Sequence, residues 1–257
     1  MNRLTFFTLF VLSTTAVATA QAPPVPAGFT ATGFERHVEL RWQPAAGANI
    51  LGYKIFRRTG DSGDFQLLKQ VDNLIATIDW TGATSIGTTF QYKIKTVATN
   101  GTESDLSEAA VAATHVMSDE ELLDMVQHST FRYFWDYAHP TSGLARERNN
   151  GDDNIVTTGG SGFGIMSILV AAERGWVTRD EAVNRMVQIV SFLQFADTYH
   201  GAFPHWINGT NGNVVPFSQY DNGADLVETA FLMQGLLAAR QYFNQDTPLE
   251  NAVRSVI

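Results

Sequence analysis

Residues 224–243 read ADLVETAFLMQGLLAARQYF, and this segment is the strongest indication of the fold. Its charged side chains are Asp225, Glu228 and Arg240, and the other positions are apolar or neutral. A helix that is apolar on most sides is usually buried among other protein elements. We therefore predict a helix here that lies inside a helical domain.

Three carboxylates crowd the start of this helix, from Asp221, Asp225 and Glu228. Acidic residues suit a helix N-terminus, where they accept hydrogen bonds from free N–H groups, so Asp221 or Asn222 is expected to cap the helix. Glu228 lies too far along the helix for a simple cap. We expect Glu228 to serve catalysis or ligand binding, with Asp225 and Asp221 assisting by charge or by hydrogen bonds to substrate.

Three further helices are predicted to be amphipathic. Capping boxes begin at Ser118, Thr178 and Thr247, and apolar residues follow the first two at helical spacing. A second apolar helix is expected over residues 162–174. Amphipathic and apolar helices thus alternate along the chain, which indicates an outer and an inner ring of helices.

Loop lengths support this two-ring pattern. Long loops, residues 138–161 and 198–223, lead into the apolar helices, and short loops lead out of them. Both long loops would then lie at one end of the ring, where an α/α toroid has its active cleft. Because the chain stops at Ile257, early in the fifth helix, we expect a partial helical barrel that is truncated at its C-terminus.

The N-terminal part has a different sequence pattern, which is typical of β-strands. Residues 24–114 contain short alternating segments, clearest at 37–42, 52–57 and 90–97, and Asn100-Gly101 is a hairpin signal. About seven strands are expected, which is typical of an antiparallel β-sandwich.

The N-terminal sequence and the composition restrict the location and the partners of the protein. Residues 1–20 resemble a secretory signal peptide, so we expect a β-sandwich over 21–114, a helical domain over 115–257, and a periplasmic or secreted location. The 257 residues include no cysteine, which excludes disulfides and thiolate metal sites. A net charge of −9 disfavours nucleic acid as a partner, and no span of the mature chain is expected in a membrane.

The two long loops carry the candidate binding residues. Aromatic faces next to polar edges suit a sugar ring, because its C–H faces stack and its hydroxyls need paired donors and acceptors. His200 and His205 are alternative metal ligands, but no third ligand stands at helical spacing, and no metal or cofactor is expected. The predicted substrate-binding residues are Arg146 and Asp152 in the first loop and Phe203, His205, Trp206 and Tyr220 in the second. Glu147 in the first loop is a further acidic candidate for catalysis.

Several motifs resemble known families. The segment with Trp42, Gly52-Tyr53, Tyr92 and Ser104 resembles a fibronectin type III domain. Three later motifs are similar to the bacterial glucoamylase-like family that includes endo-β-1,2-glucanases; they are HSTFRYFWD at 128–136, TGGSGFGIM at 158–166 and DLVETAFL at 225–232. This resemblance implies an (α/α)6 barrel and inverting hydrolysis of a β-glucan, with Glu228 as an acidic active-site residue.

Three hypotheses of function stay open. The first is a secreted glycoside hydrolase whose partner is an oligo- or polysaccharide substrate. That substrate is a β-glucan, and the family resemblance points to a β-1,2-linked one. The second is a non-catalytic carbohydrate-binding or adhesion protein that uses the same aromatic loop. The third is a lyase, because α/α barrels also host that chemistry with Tyr and His. The pattern does not predict an oligomeric state.

Overall fold

The computed structural model describes residues 21–257, apart from Ala48 and Asn73. The chain divides into two compact units, one that ends at Ser118 and one that comprises Asp119–Ile257. The predicted signal segment, residues 1–20, lies outside the described residues. Within the described ranges, no helix is both long enough and apolar enough to cross a bilayer.

The described residues of the first unit form seven strands, which confirms the predicted all-β part. Its strands are β1 (Thr30–Gly33), β2 (His37–Arg41), β3 (Ile50–Thr59), β4 (Gln66–Asp72), β5 (Ala76–Trp80), β6 (Thr89–Ala98) and β7 (Ala110–Ala113). They form two antiparallel sheets with the strand orders β1-β2-β5 and β4-β3-β6-β7. After β6 the chain turns at Asn100-Gly101, where Gly101 adopts a φ of 83°.

The core of this unit lies between the two sheets. Alternate residues of β2 and β3 point inward, so Leu40, Tyr53 and Ile55 are fully buried in one apolar cluster with Tyr92. One carboxylate is also buried there: Asp79 accepts a hydrogen bond from the Tyr92 hydroxyl (2.8 Å), and Nη1 of Arg57 donates to both of its oxygens (3.2 and 2.9 Å). A buried charge is tolerated when its hydrogen bonds are satisfied in this way.

The second unit contains five helices, in the predicted order. They are α1 (Asp119–Asp136), α2 (Thr158–Glu173), α3 (Arg179–Leu193), α4 (Leu226–Tyr242) and α5 (Pro248–Val256). The capping box at Thr178 and Glu181 has both of its hydrogen bonds. The box predicted at Thr247 is only half formed: Thr247 caps α5, but the Glu250 carboxylate accepts from Arg179 and from the backbone N–H of Gln245 and not from that of Thr247.

Helices α2 and α4 pack closely through two glycines. A Cβ on Gly162 would lie 2.1 Å from the carbonyl oxygen of Phe231, and a Cβ on Gly235 would lie 2.4 Å from the carbonyl oxygen of Gly162. Neither position has room for a side chain. Helix α2 begins at Thr158, four residues before the predicted start, so the glycine-rich stretch is helical and lies against α4.

The burial of α4 differs from the expectation. Its buried residues lie on one face, at Leu232, Gly235, Leu236 and Ala239. Large apolar side chains on its other sides are exposed, from Phe231 at 42% to Leu226 at 77%. The prediction that this helix is buried on most sides is therefore wrong for the chain described.

A small sheet joins the two long loops. Strands β8 (Ile155–Thr157), β9 (Trp206–Asn208) and β10 (Val214–Val215) pair antiparallel in the order β10-β9-β8, with Thr157 opposite Trp206. These strands were not predicted. They hold the two loops side by side next to the N-termini of α2 and α4, in agreement with the expectation that both loops lie at one end.

Candidate active site

The Glu228 carboxylate lies at the N-terminus of the neighbouring helix α2. Its Oε2 atom accepts hydrogen bonds from the backbone N–H of Gly159 (2.7 Å) and from the Thr157 hydroxyl (3.3 Å). The first N–H groups of a helix have no partner within the helix, and they carry the positive end of its dipole. Glu228, in the first turn of its own helix and half-buried, therefore supplies a hydrogen-bond acceptor to the N-terminus of α2.

Asp225 is the N-cap of α4. Its Oδ1 atom accepts hydrogen bonds from the backbone N–H groups of Val227 (2.9 Å) and Glu228 (3.0 Å). The expectation that Asp221 or Asn222 would cap this helix is therefore wrong. Burial alone would raise the pKa of Asp225, but the hydrogen bonds to its carboxylate outweigh burial and lower that pKa.

His205 brings the two aspartates of the loop together. Its Nδ1 atom lies 3.1 Å from Oδ2 of Asp225 and 4.0 Å from Oδ2 of Asp221. The ligand atoms of the three residues lie within 4.8 Å of one another, which is close enough for one cation. The Asp225 carboxylate already accepts hydrogen bonds from the start of α4 and lies within hydrogen-bond distance of the His205 imidazole. An aspartate–histidine hydrogen bond therefore explains the same arrangement. The sequence offered no third ligand at helical spacing. The fold of the loop nevertheless brings these three groups together.

Aromatic rings surround His205. Its imidazole stacks on Phe217, with ring centroids 4.3 Å apart and an interplanar angle of 26°. Trp206 meets the same Phe217 ring edge-on at 4.7 Å. Two of the predicted binding residues, His205 and Trp206, thus belong to one aromatic cluster. The sequence analysis missed Phe217, although an aromatic residue three positions before Tyr220 in the same loop was a usable signal.

Residues of the first long loop run beside β8. Arg146 pairs with Val156 in a β-bridge, and its Nη1 atom donates to Asp153 (2.9 Å). Its Nε atom is buried without a hydrogen-bond partner among the residues described. The Glu147 carboxylate forms an ion pair with the adjacent Arg148. Glu147 is therefore neutralised by its own neighbour in this structure.

The other predicted binding residues have local roles. The Phe203 ring packs against the core of the helical unit. Asp152 accepts a hydrogen bond from the backbone N–H of Asn154 (2.9 Å), so it shapes a loop turn. Tyr220 is 92% exposed. The geometry thus groups Glu228, Asp225, Asp221, His205 and Trp206, and it gives Phe203 a packing role.

Comparison with known proteins gives close matches. An exo β-1,2-glucooligosaccharide sophorohydrolase (non-reducing end) from Parabacteroides distasonis is 44% identical over 228 residues, which cover 88% of this chain and 31% of that protein. No protein-family profile matches the chain.

Solved structures give matches of the same kind as the sequence comparison. The crystal structure of a β-1,2-glucanase from Parabacteroides distasonis matches 92% of this chain and 34% of its own, with 42% identity and a TM-score of 0.83. An endo-β-1,2-glucanase from Chitinophaga pinensis, in complex with sophorotriose and glucose, matches 55% of this chain and 35% of its own, with 48% identity and a TM-score of 0.53.

The chain spans about a third of the length of these relatives, from 31% to 35%. Its similarity to the sophorohydrolase extends over both units, because it covers 88% of the chain. The chain is therefore homologous, over most of its length, to part of the glycoside hydrolases that are named for β-1,2-linked glucans.

Proposed function

We propose that this protein is a secreted glycoside hydrolase that cleaves β-1,2-linked glucan with inversion at the anomeric carbon. The observation that carries the proposal is the Glu228 carboxylate, which is held by the N-terminus of α2 within one turn of Asp225. The aromatic cluster of His205, Trp206 and Phe217 adjoins Asp225 through its hydrogen bond with His205. The names of the homologues support a β-1,2-glucan as the substrate. The helical unit would form part of an (α/α)6 barrel.

In the proposed reaction, Glu228 is the general acid. It donates its proton to the departing glycosidic oxygen while water attacks the anomeric carbon from the opposite face of the sugar. A second carboxylate takes the proton of that water, and the two carboxyl groups of an inverting pair stand about 6.5–9.5 Å apart.

The second carboxylate is proposed from Asp221, Asp225 and Glu147. Asp225 is engaged by the helix cap and by His205, and Glu147 is engaged by Arg148. Among the residues that the structure describes, the Asp221 side chain makes only the long 4.0 Å approach to His205, and it is 35% exposed. Asp221 is therefore the best candidate for the base, because its carboxylate is the least committed.

The aromatic cluster is proposed to bind the sugar. Trp206 and His205 offer a ring face and a polar edge, which is the combination that a pyranose requires. Further contacts with the glucan are proposed for Asp152 and Tyr220 in the flanking loops and for Arg146, whose Nε has no hydrogen-bond partner in the described part of the chain.

The test is sugar release by wild type and by Glu228→Gln from linear β-1,2-glucan, with β-1,3- and β-1,4-glucans as comparison substrates. Glu228→Gln should keep its affinity for the glucan and lose activity by a factor on the order of 10². Asp221→Asn should lose activity while Glu147→Gln keeps most of it.

Proton NMR of the newly released product tests the stereochemistry. Inversion at a β-linkage gives the α anomer first, before mutarotation. Full turnover in Glu228→Gln would remove Glu228 from catalysis. Binding of glucan by wild type without release of sugar would instead favour the non-catalytic binding protein.

A further inference from the structure

Both hydrogen bonds of the Glu228 carboxylate go to the same oxygen. Oε2 accepts from Gly159 N–H and from the Thr157 hydroxyl, whereas Oε1 makes no hydrogen bond within the part of the chain that the structure describes. A backbone N–H cannot accept a proton, so the oxygen that faces it must act as the acceptor. The two oxygens of this carboxylate are therefore not equivalent.

We propose that Gly159 and Thr157 are positioning residues that make Oε1 the oxygen that carries the transferable proton. This inference rests on the proposed role of Glu228 as the general acid. The Oε1–H bond breaks as the proton moves to the glycosidic oxygen, and the bond between that oxygen and the anomeric carbon breaks with its electron pair left on the oxygen. The negative charge that remains on Glu228 then meets Gly159 N–H, the Thr157 hydroxyl and the positive end of α2.

The absence of a side chain at Gly159 is what allows this contact. A Cβ at this position would lie 2.5 Å from Oε2 and 2.9 Å from Cδ of Glu228. Both are atoms at the far end of a flexible side chain, whereas the nearest backbone atom, Cα of Glu228, would lie at 3.3 Å. An added methyl would therefore displace the carboxylate, and the helices need to shift only slightly. Gly159 is therefore a position where a small substitution moves the proposed acid without breaking the fold.

The next residue, Gly160, leaves space that fixes the orientation of the Thr157 side chain. A Cβ on Gly160 would lie 2.5 Å from Cγ2 of Thr157, so Gly160 leaves room for the methyl group of the threonine. With the methyl placed there, the hydroxyl reaches Glu228. The Thr157 backbone is fixed as well, because its N–H donates to Ala145 (3.0 Å) and its carbonyl accepts from the Ser161 hydroxyl (2.6 Å). The Gly159-Gly160 pair thus serves two contacts of one carboxylate.

The first experiment is NMR of the Gly159 amide in the intact chain, and it needs no catalytic activity. The amide proton shift should follow the titration of Glu228 and lose that pH dependence in Glu228→Gln. Protection of this amide from hydrogen exchange should persist when the carboxyl is protonated, because the proton resides on Oε1. Loss of protection on protonation, or a shift that ignores Glu228, would overturn the proposal.

The second experiment compares kinetics on β-1,2-glucan. Gly159→Ala should lower kcat by a factor on the order of 10², with little change in KM, because the acid is misplaced by about 1 Å. The matched control is Gly164→Ala, on the same helix, where the three nearest atoms to the new Cβ all belong to the Phe134 side chain, the nearest being Cδ1 at 2.9 Å, and where full activity is expected. Full activity in Gly159→Ala would overturn the proposal.

Thr157 gives an independent pair of variants. Thr157→Ser keeps the hydroxyl and should keep most of kcat, whereas Thr157→Val keeps the shape and should lower kcat by roughly fivefold. Equal kcat values in the two variants would contradict a role for the hydroxyl. If wild type releases no sugar from any glucan, the proposed function fails, and the NMR experiment still decides whether Gly159 fixes Oε2.

Discussion

The close contact between α2 and α4 predicts that Gly162→Ala destabilises the helical unit. The new Cβ would lie 2.1 Å from the carbonyl oxygen of Phe231 and 2.8 Å from Cα of Leu232, and both atoms are backbone. Real Cβ contacts are essentially never shorter than 3.0 Å, so the two helices must separate by about 1 Å at this crossing.

The expected cost follows from two opposing effects. Overpacking a filled contact costs about 1–3 kcal/mol, and a contact with rigid backbone belongs at the upper end of that range. Replacing glycine by alanine inside a helix returns about 1 kcal/mol. The free energy of unfolding of the helical unit should therefore fall by about 2 kcal/mol, which corresponds to a decrease of roughly 6–8 °C in its Tm.

The measurement is urea and thermal unfolding followed by circular dichroism at 222 nm, which reports mainly on the helical unit. Gly164→Ala is the matched control, because it is also in α2 and its new Cβ meets the Phe134 side chain, which can move. This control should stay within about 1 kcal/mol of wild type. Gly162→Ala as stable as Gly164→Ala would refute the argument that backbone contact at Gly162 sets the separation of the helices.

Three further predictions concern hydrogen-bonded polar groups, all measured by urea unfolding. Glu250→Gln should cost about 3 kcal/mol, because it leaves Arg179 without its carboxylate partner. The hydrogen bond from Arg179 lowers the pKa of Glu250, so this stabilisation is present above the ordinary glutamate pKa and is lost as the pH falls through the lowered value; a deficit that does not shrink in acid would contradict it. Asp225→Ala should cost about 1 kcal/mol through loss of the α4 cap, whereas Asp225→Asn should cost less because asparagine also caps; equal losses would argue against capping. Tyr92→Phe should cost about 1–2 kcal/mol, since it removes the hydroxyl that donates to buried Asp79, and no change in stability would show that this bond contributes nothing.

Local patterns predicted the elements well. Alternation of apolar and polar residues predicted β2, β3 and β6. Capping patterns with apolar residues at helical spacing predicted α1 and α3, uniformly apolar segments predicted α2 and α4, and the capping pattern at Thr247 predicted α5. The cap at Thr178 was also predictable, because both of its hydrogen bonds join residues three positions apart. Such features depend on short-range backbone geometry, which the residue order alone specifies.

Longer-range contacts changed several of these expectations. Glycine has a low helix propensity, and residues 158–161 were expected to belong to the loop, but they form the first turn of α2, where Gly159 packs against Glu228 of α4. Glu250 completes a local capping pattern, but Arg179, which is 71 positions away, binds its carboxylate instead. In both cases a tertiary contact was stronger than the local preference.

By itself, the sequence determined that a β-sandwich precedes a helical unit, and that Glu228 is an unusual carboxylate near the start of an apolar helix. Only the tertiary structure decided what that carboxylate binds. Its partner Gly159 is 69 positions away, and the two meet because glycines let α2 and α4 approach closely. His205 and Asp225, 20 positions apart, meet because the loop between them folds back on itself. Neither contact leaves a periodic trace in the sequence, because a hydrogen bond between distant residues is set by how whole elements pack and not by their spacing along the chain.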